Sequence, residues 1–553
     1  MELTANPDWY AVQALPVVGN PSTDDAVAWA TAYYANRLAG VLVEANPAIS
    51  RVFESWKQSG KDQETLMSNL EKNSDLKDLL LAETPWVAEA ADEAEQKRRI
   101  ALLFDLNGMS SRLQQAADKL RTLQLTDGSW SWYKGMKVSR YITTQTVELM
   151  ARLKAMNISL TDGMEAQYGR ALGYLRKEVK KVYEQMRIQE RENNIQVRPD
   201  EQIVKYLYIC ALDETARKQA DKEINTYFLA RLTNRSAECS IYEKSLLAVI
   251  MHAYGQKRQA ELLLQSVKEY MLATPEMGRY FDTSKAGYSW NSYKIPTQVA
   301  AMEAIWRIAP DQHLLGDMKQ WLLKQKQVQV WDTPLATVDA VYAFLGMGGN
   351  RLQASGSLKA RIGSKTLVTP DDALGYVRQT YTGADTEVSR IAVVKSGEGL
   401  SWGAVYAQYL EDMIRIRPFR TNGLGIVREY WLGDEQVSAS TRLKPGDKLT
   451  VRLTVKADRD MDFVQIKDER ASCMEPAVQL SGYHWNGGIG YYQVNKDAST
   501  EFFIDQMRKG TYVLEYTVYL DRPGTYQAGI ATIQSAYAPE FNGHTDGVEL
   551  TIE

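Results

Sequence analysis

Apolar residues in the first part of the chain recur at three- and four-residue steps. Val27, Ala30, Tyr34, Leu38 and Val41 form one such row, and Leu246, Leu247, Ile250, Ala253 and Tyr254 form another. Val299, Met302, Trp306 and Ala309 repeat the spacing, as do Leu335, Val338, Tyr342 and Leu345. This is the period of one buried helix face, so the spacing predicts helix after helix. Pro296, Pro310 and Pro334 stand at the edges of these segments, where proline starts or stops a helix. The charged run 92–99 sets Glu93 over Lys97 and Glu95 over Arg99, the pattern of a solvated helix face.

Near residue 350 the period changes. Gly346-Met347-Gly348-Gly349-Asn350 ends the helical pattern. Beyond it, Leu449, Val451, Leu453 and Val455 alternate with polar residues, as do Tyr512, Leu514, Tyr516, Val518 and Leu520, and then Val548, Leu550 and Ile552. Lys444-Pro445-Gly446-Asp447 and Asp521-Arg522-Pro523-Gly524 separate these runs as turns. Strands segregated from helices predict separate domains rather than one mixed sheet. A second break at Trp431-Leu432-Gly433-Asp434 divides the β part in two. The organisation expected is a helical domain over 1–349 and two all-β domains over 350–432 and 433–553. With no fixed repeat length, the helices are expected to close into an α/α toroid rather than stack as a solenoid.

One element recurs loosely in the helical part. Gly128-Ser129-Trp130-Ser131-Trp132 precedes Thr144-Gln145, and Gly287-Tyr288-Ser289-Trp290 precedes Thr297-Gln298. The plainer reading is that such Trp-bearing turns plug the ends of helix pairs.

Composition narrows the function classes. A net charge of −4 and a pI near 5.9 give no basic face for nucleic acid. No apolar run approaches the roughly 20 residues of a membrane helix, and the N-terminus shows no signal peptide. Cys210, Cys239 and Cys473 form neither a disulfide framework nor a metal-spaced pair. Cys210 and Cys239 read as buried small hydrophobes in helices. No cofactor or metal motif is present.

Several segments taken together resemble a known family. Asn6-Pro7-Asp8-Trp9-Tyr10-Ala11-Val12-Gln13-Ala14-Leu15-Pro16, followed by Tyr33-Tyr34-Ala35-Asn36-Arg37-Leu38-Ala39, resembles the opening of the thioester domain in bacterial (Bacteroidetes-type) α2-macroglobulins. Gly128 to Gly135 is similar to that domain's Trp-rich turn, and Thr333 to Leu345 to its last helix. Ser401 to Asp412 is similar to the CUB-type segment that follows, and Tyr537 to Phe541 to the last strands of the terminal macroglobulin-type sandwich. The resemblance runs in family order along nearly the whole chain. It implies a toroid of about a dozen helices, the C-terminal part of a CUB-like β domain, and a C-terminal β-sandwich. It also implies an exported protein, in the periplasm or at the cell surface. Its partners would be proteases and upstream macroglobulin domains of the same chain, with no membrane contact by this portion.

Active members join a Cys and a Gln three residues apart into an internal thioester, an acyl donor for a lysine of the attacking protease. The resemblance places the Cys at Asp25 and the Gln at Ala28. Asp has no sulfur and Ala no side-chain carbonyl, so no thioester is expected. Ser22 or Thr23 is expected to cap the helix there, with Asp24 and Asp25 in its first turn. The implied role is non-enzymatic: protease inhibition or entrapment by shape, or an envelope-defence scaffold.

Two other readings compete. Toroids with β-sandwiches also build polysaccharide lyases and glycosidases. Those need a Tyr or His base or a carboxylate pair in a cleft. His252, His313, His484 and His544 do not cluster in sequence, and Asp24, Asp25, Asp127 and Asp282 are the loop-like acids. The third reading is a carbohydrate- or protein-binding surface. Its candidate residues are Trp130, Trp132, Tyr133, Tyr288, Trp290, Tyr483 and Trp485, all in turn-like contexts.

Overall fold

The computed structural model describes all residues except 13, 22, 46–105, 283–292, 327–330, 332, 348–355, 370–374, 383–389, 398–399, 406–410, 421–422, 439, 537 and 539–540. The charged run 92–99, Ser22, and the turn bearing Tyr288 and Trp290 therefore lie outside the described residues. The chain divides into two compact units, one of the described residues through Val405 and one of those from Tyr406 to Glu553.

In the first unit the described helices are α1 (Trp9–Val12), α2 (Leu15–Val18), α3 (Ala26–Ala45), α4 (Leu106–Leu123), α5 (Arg140–Ala155), α6 (Asp162–Asn193) and α7 (Glu201–Leu212). They continue as α8 (Glu214–Gln219), α9 (Lys222–Asn234), α10 (Ile241–Ala253), α11 (Lys257–Glu269), α12 (Lys294–Ile308), α13 (Gln312–Lys324) and α14 (Pro334–Leu345). Packing runs α3 to α5 to α7 to α10 to α12 to α14 and back to α3, so these helices close a ring. Four of the others pack on this ring from outside: α4 on α3, α6 on α5, α11 on α10 and α12, and α13 on α12 and α14.

Residue pattern separates the two layers. Inner α10 is buried at every position from Ile241 to Met251. Outer α11 buries only Ala260, Leu263, Leu264 and Val267, a single stripe at helical spacing. Boundaries follow side-chain caps. Ser139, Asp200, Asp221, Asp311 and Thr333 each accept an N–H of the first turn. Ser240 and Glu243 form a reciprocal capping box on α10.

The same unit carries short strands. β1 (Glu2–Thr4) is followed by the hairpin β2 (Met271–Thr274) and β3 (Gly278–Phe281). Then come β4 (Ser357–Ile362), β5 (Lys365–Val368), β6 (Tyr376–Arg378), β7 (Ile391–Ser396) and β8 (Trp402–Ala404). β1 is the middle strand of the sheet β6-β1-β8, with Leu3 opposite both Val377 and Gly403. The β part of this unit is thus built from both ends of the helical ring. Leu3 packs with Leu358, Ala360 and Leu367 of the sheet β5-β4-β7.

Apart from a 3-10 turn at Met413–Arg415, the described elements of the second unit are strands. They are β9 (Phe419–Arg420), β10 (Leu424–Leu432), β11 (Glu435–Gln436), β12 (Lys448–Ala457), β13 (Met461–Glu469), β14 (Met474–Pro476) and β15 (Gly482–Asn486). β16 (Ile489–Asn495), β17 (Ser499–Met507), β18 (Gly510–Leu520), β19 (Gly524–Ala528), β20 (Ala531–Ser535), β21 (Asn542–His544) and β22 (Val548–Ile552) complete it. A five-stranded sheet, β11-β10-β12-β18-β14, faces a seven-stranded sheet, β15-β16-β17-β13-β20-β21-β9. The alternation read from β12 holds, since Leu449, Val451, Leu453 and Val455 are fully buried.

Candidate functional site

Helix α3 opens on the position of interest. Asp25 is its N-cap: Oδ1 accepts the N–H of Ala28 at 2.9 Å, and Oδ2 accepts the hydroxyl of Thr23 at 2.6 Å. The cap expected at Ser22 or Thr23 is therefore displaced onto Asp25, because its carboxylate reaches the N–H groups that the first turn leaves unpaired. Asp25 and Ala28 do share one helix edge, and a capping hydrogen bond connects them. Both are buried, at 7% and 6% exposure. The neighbouring Asp24 stays outside, accepting from Trp29 Nε1 at 2.6 Å and Lys119 Nζ at 3.0 Å. The hydrogen bonds from Lys119 and Trp29 hold its carboxyl below the usual range.

The Trp-bearing turn completes this corner. Trp132 accepts the N–H of Ala26 on its carbonyl at 3.0 Å, so the turn caps α3 from the other side. Gly128 has φ +92°, and a Cβ there would lie 2.4 Å from the carbonyl oxygen of Arg170. Only glycine meets both conditions. Trp130, a surface candidate from its turn context, is fully buried. Its indole donates to the Leu120 carbonyl at 2.9 Å, and its N–H donates to Thr143 Oγ1 at 2.8 Å. Trp132 is half-buried and Tyr133 exposed.

Trp331 repeats the arrangement at α14. Its indole donates to the Leu322 carbonyl at 2.7 Å and its N–H to Thr337 Oγ1 at 3.1 Å. Each Trp ties the last turn of an outer helix to the first turn of the next inner one, so this indole is a plug rather than a binding surface. Tyr483 and Trp485, by contrast, are 72% and 77% exposed on β15.

The ring holds a feature that periodicity does not show. Arg152 on α5 pairs with Glu148 at 2.9 Å and with Asp339 on α14. Lys205 on α7 reaches Glu148 at 3.0 Å. Glu303 on α12 accepts Arg307 and the Tyr342 hydroxyl, each at 2.7 Å, as well as the Tyr208 hydroxyl. The Arg152 guanidinium lies 5.0 Å from the Tyr342 ring centre and links the two halves. Three acids thus balance three bases. Burial pushes the Glu148 carboxyl upward, but Lys205 and Arg152 outweigh it and hold the group below its ordinary range. Burial raises Asp339 despite Arg152. In sequence, Glu148 and Arg152 read as an ordinary surface pair four residues apart, as do Glu303 and Arg307. The signal that marks them is their place in helices whose other faces are also apolar.

These groups offer little to an acid–base mechanism. Glu148, Glu303 and Asp339 are each under a tenth exposed and each is ion-paired. Burial pushes the Cys210 thiol up to about 12, and Cys239 and Cys473 are also buried and raised. Among the described residues, no group of three His, Cys, Asp or Glu side chains stands ready for a metal ion.

Removing the cap should be measurable. Asp25→Ala is expected to cost about 1 kcal/mol of stability, the usual loss for an N-cap. Faster amide exchange in the first turn of α3 is the readout. Unchanged exchange at Ala28 would show that Asp25 is not the cap.

Comparison with known proteins finds several similarities. Residues 423–540 match the family described as Bacterial Alpha-2-macroglobulin MG10 domain. An alpha-2-macroglobulin homolog from Nostoc is 22% identical over 484 residues, covering 79% of this chain and 23% of that protein. The chain therefore spans about a quarter of that relative's length. Native Escherichia coli alpha-2-macroglobulin, in a structure from domain MG7 to the C-terminus, covers 100% of this chain and 76% of its own, at 14% identity and a TM-score of 0.36. The trypsin-activated Escherichia coli protein covers 88% of this chain and 32% of its own, at 14% identity and a TM-score of 0.39. Residues 423–540 thus match a bacterial alpha-2-macroglobulin MG10 domain, and the chain's similarity to an alpha-2-macroglobulin homolog extends well beyond that domain.

Proposed function

We propose that the chain is the C-terminal portion of a thioester-deficient alpha-2-macroglobulin that inhibits or entraps proteases without a covalent bond. The observation that carries this reading is the α3 cap. Where the resemblance puts Cys and Gln, Asp25 and Ala28 are joined by a side-chain-to-backbone hydrogen bond. An acyl donor needs a thiol and a carboxamide there, and neither residue supplies one. The buried, ion-paired acids of the ring fit a scaffold better than a lyase or glycosidase. Its partners are then proteases and upstream macroglobulin domains, in an extracytoplasmic setting. Among the described residues, no helix is long and apolar enough to cross a membrane.

Two measurements test it. Intact mass before and after methylamine is expected to be unchanged, whereas one added methylamine overturns the loss of the thioester. The full-length protein mixed with a protease is expected to slow cleavage of large substrates more than small ones. Equal slowing of both would overturn entrapment while leaving the missing thioester intact.

A further inference from the structure

Asn is followed by Gly at positions 107, 422, 486 and 542. In such a pair the backbone nitrogen after the Asn can reach its side-chain carbonyl, because glycine puts no side chain in the way and leaves the backbone free to turn. Asn422 lies outside the described residues. The other three pairs stand in different settings. Asn107-Gly108 lies within α4. Asn542-Gly543 lies in β21, which pairs with β20 on one side and β9 on the other, and Gly543 is buried. Asn486-Gly487 ends the edge strand β15, and Asn486 is exposed.

The hairpin decides which nitrogen is free. Gly487 and Gly488, with φ of 58° and 84°, form the two-residue turn between Asn486 and Ile489. Such a turn hydrogen-bonds the pair that flanks it and leaves the N–H of its first central residue outside the ladder. The Gly487 nitrogen is therefore not tied into the sheet. The space around it is open as well, since a Cβ on Gly487 would meet nothing within 4 Å.

We propose that Asn486 is a self-modifying site whose conversion loosens the β15–β16 hairpin as the protein ages. The Gly487 backbone nitrogen bonds to Asn486 Cγ, and the carboxamide nitrogen leaves as ammonia with the proton that Gly487 gives up. The succinimide so formed takes up water at one of its two carbonyls. One opening leaves Asp at 486, and the other leaves isoaspartate, whose main chain runs through the former side chain. Either product puts a carboxylate into Pro476 to Asn495, a stretch with no Asp, Glu, Lys or Arg. Isoaspartate also lengthens the main chain at the residue that flanks the turn. The pairing of 486 with Ile489, and the register of the ladder behind it, then cannot be kept.

The test is peptide mapping by mass of the 553-residue chain during incubation at mildly alkaline pH, which favours loss of the Gly487 amide proton. A pair locked in a helix or an inner strand must open before it reacts. Asn486 is therefore expected to convert about tenfold or more faster than Asn107 and Asn542, the factor that about 1.4 kcal/mol of local opening makes. Isoaspartate should appear at 486, and the β15 and β16 amides should exchange faster in the aged protein. Asn486→Gln, whose longer side chain closes the ring far less readily, should keep both its mass and its exchange. A synthetic peptide spanning Gly482–Gly490 sets the unrestrained rate. Conversion at Asn107 or Asn542 as fast as at Asn486 overturns the proposal, as does an Asn486 still intact once the peptide has converted. Conversion that leaves β15–β16 exchange unchanged overturns the loosening and, with it, the proposal.

Discussion

Arg152→Met is expected to destabilise the helical ring by about 3–5 kcal/mol, the usual result of removing one partner from a buried ion pair. The guanidinium pairs with Glu148 and Asp339 at 5% side-chain exposure, and those two acids are nearly as buried. Without it, Glu148 keeps Lys205, but Asp339 loses its cation. Methionine fills much of the volume, so the loss reports charge rather than a cavity. Amide exchange in α5 and α14 is expected to accelerate about a hundredfold or more, since each 1.4 kcal/mol is a factor of about ten. Adding Asp339→Leu to Arg152→Met should recover a large part of the loss. No recovery would mean that packing, not the uncompensated acid, carries the effect.

The second large effect is expected in the β unit. Arg428 on β10 and Asp468 on β13 pair at 2.7 Å, each 1% exposed, across the two facing sheets. Arg428 also donates to the Gly529 carbonyl at 2.6 Å, and Asp468 accepts the Tyr516 hydroxyl at 2.8 Å. One guanidinium thus holds an acid and a loop carbonyl together, which its fork allows and an ammonium does not. Arg428→Met is expected to cost about 3–5 kcal/mol, and Arg428→Lys an intermediate amount. Exchange of the β10 and β13 amides and near-ultraviolet circular dichroism are the readouts. If lysine substitutes fully, the carbonyl contact is not needed and the bridging role is wrong.

Much of this structure was legible from residue periods. The helical rows, the change near residue 350 and the turn at Lys444-Pro445-Gly446-Asp447 all rest on contacts within one element, which a sequence displays directly. What escaped depends on distant partners. β1 is three residues long and finds its neighbours more than 370 positions away. The Trp plugs at Trp130 and Trp331 make the same hydrogen bonds, yet their Thr partners stand 13 and 6 residues on. No fixed spacing connects them. At the candidate site, the position of Asp25 and Ala28 on one helix edge was readable, but the cap was not. Thr23, Asp24 and Asp25 are all competent acceptors, and only the place where α3 begins selects among them.

Ring closure has a consequence for how the chain is made. α3 packs against α14, roughly 300 residues later, and Arg152 waits for Asp339 across a separation of 187. At roughly 5–20 residues per second, synthesis takes about 15–60 s to span the gap from α3 to α14. Until then the open arc presents its inner face to water. The Glu148, Arg152 and Lys205 side chains on that face are hydrated in the nascent chain and lose their water only when the last helix docks. The same charges that lock the finished ring would thus keep its unfinished wall from sticking to itself or to its neighbours on the ribosome.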